Sequence, residues 1–127
     1  MLSGQWTDRF EVECAIWHPT APASRISDII GLTPRFQWSA GDINVSTGTT
    51  RDRTYCRFYL GKYSQEQINT GLVMLDRFKA LSRDTIFCGP DTSIVVYFKN
   101  LDDAAELHIN LRGISALKEL NASIVFR

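Results

Sequence analysis

Several times in this chain, most clearly in two segments, apolar side chains recur at every second position, and that period constrains the fold more than any other feature. Phe10, Val12, Cys14 and Ile16 alternate with Glu11, Glu13 and Ala15; Cys56, Phe58 and Leu60 alternate with Tyr55, Arg57 and Tyr59. A period of two sends successive side chains to opposite faces of a strand, so each segment buries one face and presents the other. The stretch SIVVYFK, residues 93–99, is apolar on nearly both faces and reads as a central strand.

Helical spacing and turn residues fill the intervals. Ser24 is placed to cap a short helix carrying Ile26, Ile29 and Ile30. Gly31 suits the left-handed position after it, Leu32 the hydrophobic contact of that cap, and Pro34 stops continuation. Residues 35–38 read as a second strand. Residues 39–53 carry no apolar period but hold Gly41, Gly48 and several Ser and Thr, which predicts a mobile surface loop or a wide hairpin. Ser64 and Gln67 have the spacing of a capping box, and Ile68, Leu72, Leu75 and Phe78 follow at helical spacing. Gly71 within that helix costs about 1 kcal/mol against Ala, so its small size points to close approach of the sheet. Gly89-Pro90-Asp91 is a turn signal.

Leu107, Ile109 and Leu111 alternate with His108, Asn110 and Arg112, which predicts a further half-buried strand. A brief helix with Leu117 and Leu120 follows Gly113, Asn121 ends it, and residues 122–126 form the last strand. The order is β-α-β-β-α-β-β-α-β: an α+β domain over 1–127 with a mainly antiparallel, twisted sheet of about six strands and three helices, its first residues, 1–9, expected as an unstructured lead-in. Its front, β-α-β-β-α-β, is the ferredoxin-like split pattern.

Composition narrows the function classes. The chain has 127 residues, enough for one core without disulfide or metal staples. Lys and Arg number 14 and Asp and Glu 14, a net charge of zero that argues against nonspecific nucleic-acid binding. Cys14, Cys56 and Cys88 are odd in number and form no C-x-x-C pair, so neither a disulfide framework nor a zinc ribbon is expected. Reduced core thiols suit the cytoplasm. Residues 1–9 carry no apolar signal-peptide region, and no apolar run is long enough to span a bilayer.

His18-Pro19-Thr20, Ser24 with Ile26, Gly31-Leu32-x-Pro34 and Trp38-x-x-Gly41-Asp42 resemble the pattern of a family of short bacterial domains of unknown function. The resemblance covers most of the chain from Glu11 onward, with its motifs confined to residues 18–42. It implies strand, short helix and strand, then a longer helix and a C-terminal strand-helix-strand, and it supplies no activity or cofactor. Tyr55 stands where that family's pattern carries a Trp-containing strand.

The candidate sites follow. Trp38, Gly41 and Asp42 form either a ligand platform or a strand end with a Gly-Asp turn, the turn being preferred. Residues 48–51 lack the helix that a phosphate cradle requires. His18 and His108 have no metal-ligand spacing, so no metal or cofactor is expected. The sheet face away from the helices is expected to present Glu13, Tyr55, Arg57, Tyr59, Tyr97, His108 and Asn110, and Tyr and Arg are enriched at binding hot spots. The favoured function is a non-catalytic domain acting through that face on a protein partner or a second copy of itself. The alternative is a small anionic ligand such as a nucleotide near Trp38 and the 39–53 loop, held by Arg35, Arg51 or Arg57. An enzyme using Cys56 and a histidine is the least favoured.

Overall fold

The computed structural model describes residues 10–82, 92–101 and 107–127. Cys88, the turn at 89–91 and the lead-in at 1–9 lie outside them. The strands are β1 (Phe10–His18), β2 (Phe36–Trp38), β3 (Thr54–Tyr63), β4 (Ser93–Asn100) and β5 (Ser123–Phe126). The helices are α1 (Ala23–Ile30), α2 over residues 68–82, and α3 (Leu111–Leu120). The strands form one sheet in the order β2-β3-β1-β4-β5. β1 pairs antiparallel with both β3 and β4, β2 antiparallel with β3, and β5 parallel with β4. The sheet is thus mixed, with β3 lying between β1 and β2.

The period of two sets which face is buried. Phe10, Val12, Cys14 and Ile16 on β1 join Cys56, Phe58 and Leu60 on β3 and Val96 and Phe98 on β4 in a single core. Ile26 and Ile30 of α1, Leu72, Leu75, Phe78 and Leu81 of α2, and Leu117 and Leu120 of α3 close that core from the same side. Burying each such side chain contributes about 1.5–3 kcal/mol.

α2 is not one regular helix. The capping box is present: the Gln67 N–H donates to Ser64 Oγ (3.2 Å) and the Ser64 N–H to Gln67 Oε1 (3.5 Å). α-Helical Ile68–Gly71 then tightens to a 3-10 helix over Leu72–Phe78 and relaxes to α-helix over Lys79–Ser82. Leu72, Leu75, Phe78 and Leu81 are spaced by three, and three residues per turn lines them up in one stripe on the core. Gly71 lies against the Tyr63 ring, where an added Cβ would come within 2.4 Å of it.

Two expectations are corrected. Among the described residues the sheet has five strands rather than six, because 107–110 do not pair with it. Their alternation survives: Leu107 and Ile109 pack on the core while His108 and Asn110 are exposed. Side-chain amides satisfy the backbone instead. The Gln65 carboxamide accepts from the His108 N–H (2.8 Å) and donates to its carbonyl (2.7 Å), and Asn69 Oδ1 accepts from the Asn110 N–H (2.9 Å). Leu111, expected inward on a strand, instead starts α3 and is exposed. Asn110 caps that helix through the Gly113 N–H (3.0 Å), and Asn121 ends it in the left-handed region at φ 52°. The second correction concerns Ser24, which sits inside α1; Ser39 Oγ accepts from the Ala23 N–H (2.9 Å) at the helix start.

No described helix is long and apolar enough to cross a membrane.

Candidate functional site

The strand faces opposite the core converge on one surface. Strand register places Ala15 beside Arg57 and Val95, Trp17 beside Tyr55, Glu11 beside Lys62 and Lys99, and Glu13 beside Tyr59 and Tyr97. Phe36 lies opposite Arg57 and Trp38 opposite Tyr55. Among the described residues no helix contributes its buried face to this side.

One end of the surface is an aromatic cluster. Trp38 stacks on Tyr55 with centroids 4.6 Å apart, and Trp17 lies 4.3 Å from Tyr55. Arg51 sits over Trp38 at 3.9 Å and Arg53 over Trp17 at 5.6 Å. Trp38 Nε1 donates to the Arg53 carbonyl (3.0 Å). Burial raises the Tyr55 phenol above its ordinary range despite the opposing pull of Arg57.

The middle holds an ion-pair lattice. Arg57 grips Glu13 through two hydrogen bonds, Nε to Oε2 at 2.8 Å and Nη2 to Oε1 at 3.2 Å. Arg35 lies 3.7 Å from Glu11 and 3.8 Å from Glu13. Burial works against the Arg57 charge, but its bonds to Glu13 and Tyr55 outweigh that and raise its pKa. Tyr97 stands between two guanidiniums, Arg57 at 4.8 Å and Arg127 at 4.5 Å. These groups, with Phe36 and Lys99, line a shallow hollow of about 280 Å³.

The residues expected at the site thus part company. Arg35, Arg57, Tyr59 and Tyr97 meet on this face. Trp38 meets its aromatic end. Gly41 and Asp42 are turn-makers: Gly41 has φ 93°, Asp42 Oδ2 accepts from the Ser39 N–H (2.8 Å), and the Gly41 N–H donates to the Arg51 carbonyl (2.8 Å). The wide-hairpin form of the 39–53 segment is the one observed, closed by Asn44 and Thr49 and by the Ile43–Thr50 bridge. His108 is corrected, because it belongs to the segment docked on α2 and not to this face. Trp17, Phe36, Lys62, Lys99 and Arg127 belong to the face but were not singled out from the sequence. Extending the alternation of β1 and β4 by one step reaches Trp17 and Lys99.

The thiol and imidazole groups of the Cys/His reading point elsewhere. Cys14 and Cys56 are buried in the core. Burial raises both thiols, Cys56 from 9.0 to about 11. His18 Nδ1 accepts from the Thr20 N–H (3.0 Å) and the Ala21 N–H (2.8 Å), so this nitrogen is occupied as a turn staple. Below pH 9 Cys56 is a neutral thiol in both folded and unfolded chain. Between pH 9 and about 11 the unfolded chain ionises it and the folded chain does not, so folding stability is expected to fall across that window. Thermal melts from pH 7 to 10.5 should show a shallower decline in Cys56→Ala than in the native chain. Peptide-mapped alkylation of Cys14 and Cys56 at pH 8 should require unfolding.

Comparison with family models, curated proteins and solved structures finds no match to this chain. The fold and its uncovered face therefore define the class available here: an α+β domain with a mixed sheet, helices on one side and a charged aromatic surface on the other.

Proposed function

We propose that this is a non-catalytic binding domain that works through the uncovered sheet face. The observation that carries the reading is the exposure of Phe36 (55%) and Tyr59 (42%) beside the Arg35 guanidinium, on the neighbouring strands β2 and β3, the second of which buries Cys56, Phe58 and Leu60 on its opposite face. Large exposed rings beside arginine are costly to leave in water and are the side chains that dominate binding energy when covered. In this reading the first four strands with α1 and α2 are a ferredoxin-like split βαβ unit, supported by the order β2-β3-β1-β4, and β5 extends it. Kinship with the short bacterial domains is part of the same proposal. His18, Gly31, Gly41 and Asp42 of the shared pattern all make turns, so the pattern would specify the scaffold and leave the face to vary.

A homodimer through this face is disfavoured by charge: a two-fold contact would set the cations of one copy against those of the other. The small-anion alternative moves from the Trp38 loop to the hollow, where Arg35, Arg57, Lys99 and Arg127 converge.

The test is a paired substitution, Phe36→Asp with Tyr59→Asp, which should leave the melting temperature within a few degrees because both side chains are exposed. The variant should lose whatever native-extract component the unmodified chain retains. Equal retention by both, or loss only on substituting Ile114 and Ile124 in the apolar groove beside α3, would sink the reading.

A further inference from the structure

The net charge of zero conceals a segregation. The five described strands carry only two acids, Glu11 and Glu13, both on β1 and both engaged by Arg35 and Arg57. Against them the same face gathers cations along its whole length. Arg51 and Arg53 lie over the tryptophans. Arg35, Arg57, Lys99 and Arg127 surround the central hollow. Lys62 stands beside Glu11 at the far end. Among the described residues, the strands, the 39–53 hairpin and the flanking positions thus bring seven basic residues to this face, where the strands themselves carry two acids.

We infer that this face binds single-stranded nucleic acid, with bases stacked on Phe36 and Tyr59 and phosphates held by Arg35, Lys62, Lys99 and Arg127. The inference rests on the proposed binding face and names its ligand. Cations alone would fit any polyanion; the rings decide among them. Among the described residues Phe36 and Tyr59 are the exposed aromatics of the face, on neighbouring strands, and Arg35 lies 5.8 Å from one centroid and 5.4 Å from the other. Diagonal neighbours on a sheet are about 7–8 Å apart, a span that consecutive nucleotides of an extended single strand can bridge. Ring faces within a cationic track are what unpaired bases require, whereas an acidic peptide would leave them unused. A duplex keeps its bases stacked internally and gains nothing from the rings. Arg35 leaves Phe36 and Tyr59 exposed, whereas closer guanidiniums lie over Trp38 (3.9 Å) and Tyr97 (4.8 and 4.5 Å), which are both half-buried, so these two rings organise the cations.

The probe is a fluorescein-labelled mixed-sequence oligonucleotide of roughly ten nucleotides, a length within the usual range of single-strand sites. It is used as DNA, as RNA and as duplex, with polyglutamate as a separate polyanion. Anisotropy should show single strands bound more tightly than duplex at 50 mM salt. Four phosphate contacts would weaken binding about fiftyfold between 50 and 200 mM. Phe36→Ala and Tyr59→Ala should each weaken it about tenfold without altering the melt, and Tyr59→Leu should weaken it as much as Tyr59→Ala. Silence toward single strands, a preference for duplex, or full binding by both alanine variants overturns the inference. If polyglutamate then binds, and Lys62→Glu with Lys99→Glu abolishes it, the nucleic-acid assignment falls while the binding face stands. If neither polyanion binds and the native-extract test is also indifferent to Phe36→Asp with Tyr59→Asp, both fall.

Discussion

Replacing His18 by Ala is expected to destabilise the fold by about 2–4 kcal/mol, because it strips acceptors from two backbone donors. His18 is 4% exposed, and the Ala21 N–H that it accepts is buried. The turn it holds leads directly into α1, and the Ala21 carbonyl accepts from Thr54 Oγ1 (2.5 Å), itself fully buried. Thr54 Oγ1 also accepts from the Ala40 N–H (2.8 Å). Loosening residues 19–21 therefore disturbs the start of α1 and the entry to β3 together. For a chain of this length the expected cost is a fall in Tm of roughly 10 °C. His18→Asn places a carbonyl oxygen near the position of Nδ1 and should recover at least half of the loss. A melt of His18→Ala within 2 °C of the native chain, or no recovery in His18→Asn, would show that the staple contributes little. Because Nδ1 is an acceptor, its proton belongs on Nε2, and long-range ¹⁵N correlation should report that tautomer.

The second large effect concerns Gly113. Exchanging a helical Gly for Ala ordinarily stabilises by about 1 kcal/mol. At this position the sign should reverse. A Cβ on Gly113 would lie 2.7 Å from Asn69 Oδ1, 2.7 Å from Ile109 Cγ2 and 2.9 Å from Leu72 Cδ1. Asn69 cannot swing aside without releasing the Asn110 N–H, so α3 must move off α2. Overpacking of this kind costs about 1–3 kcal/mol, more than the propensity gain. The same helix offers a control. Ser115 is exposed, and Ser115→Ala should be neutral or mildly stabilising. Denaturant melts of the two variants would settle the matter; a Gly113→Ala chain as stable as the native one would mean that the two helices separate at little cost.

Both effects lie in the scaffold, and both bear on the uncovered face. His18 ends β1 next to Trp17, so disorder in the turn reaches the aromatic end of the surface. Gly113 acts on the helical side, so its substitution should leave the inferred oligonucleotide binding unchanged while stability falls. That difference separates variants that damage the fold from variants that damage the site.

The sequence alone carried the elements whose signals are local. The alternation over residues 10–16 and 54–60 located β1 and β3 and the face each buries, because a strand's side-chain period is a property of its own backbone. Gly31 and Asn121 marked helix ends because few residues tolerate positive φ. The capping box at Ser64 and Gln67 needs four consecutive residues and no others. Residues 107–110 show the limit of such signals. Their alternation is genuine, but whether a neighbouring strand or the amides of Gln65 and Asn69 take up their hydrogen bonds depends on residues some forty positions away.

The uncovered face shows the same division more sharply. Tyr55, Arg57, Tyr59 and Tyr97 could be assigned to it from parity within single strands. Its charge could not be read, since Arg35, Lys62, Lys99 and Arg127 come from separate segments and compositional charge sums to zero. Strand order and register bring those cations together and leave the acids of the strands paired at the centre. Which side of β1 and β3 is buried was therefore fixed by the local period, whereas the charge of the exposed side was decided by tertiary pairing, because electrostatic potential depends on distances in space and not on spacing along the chain.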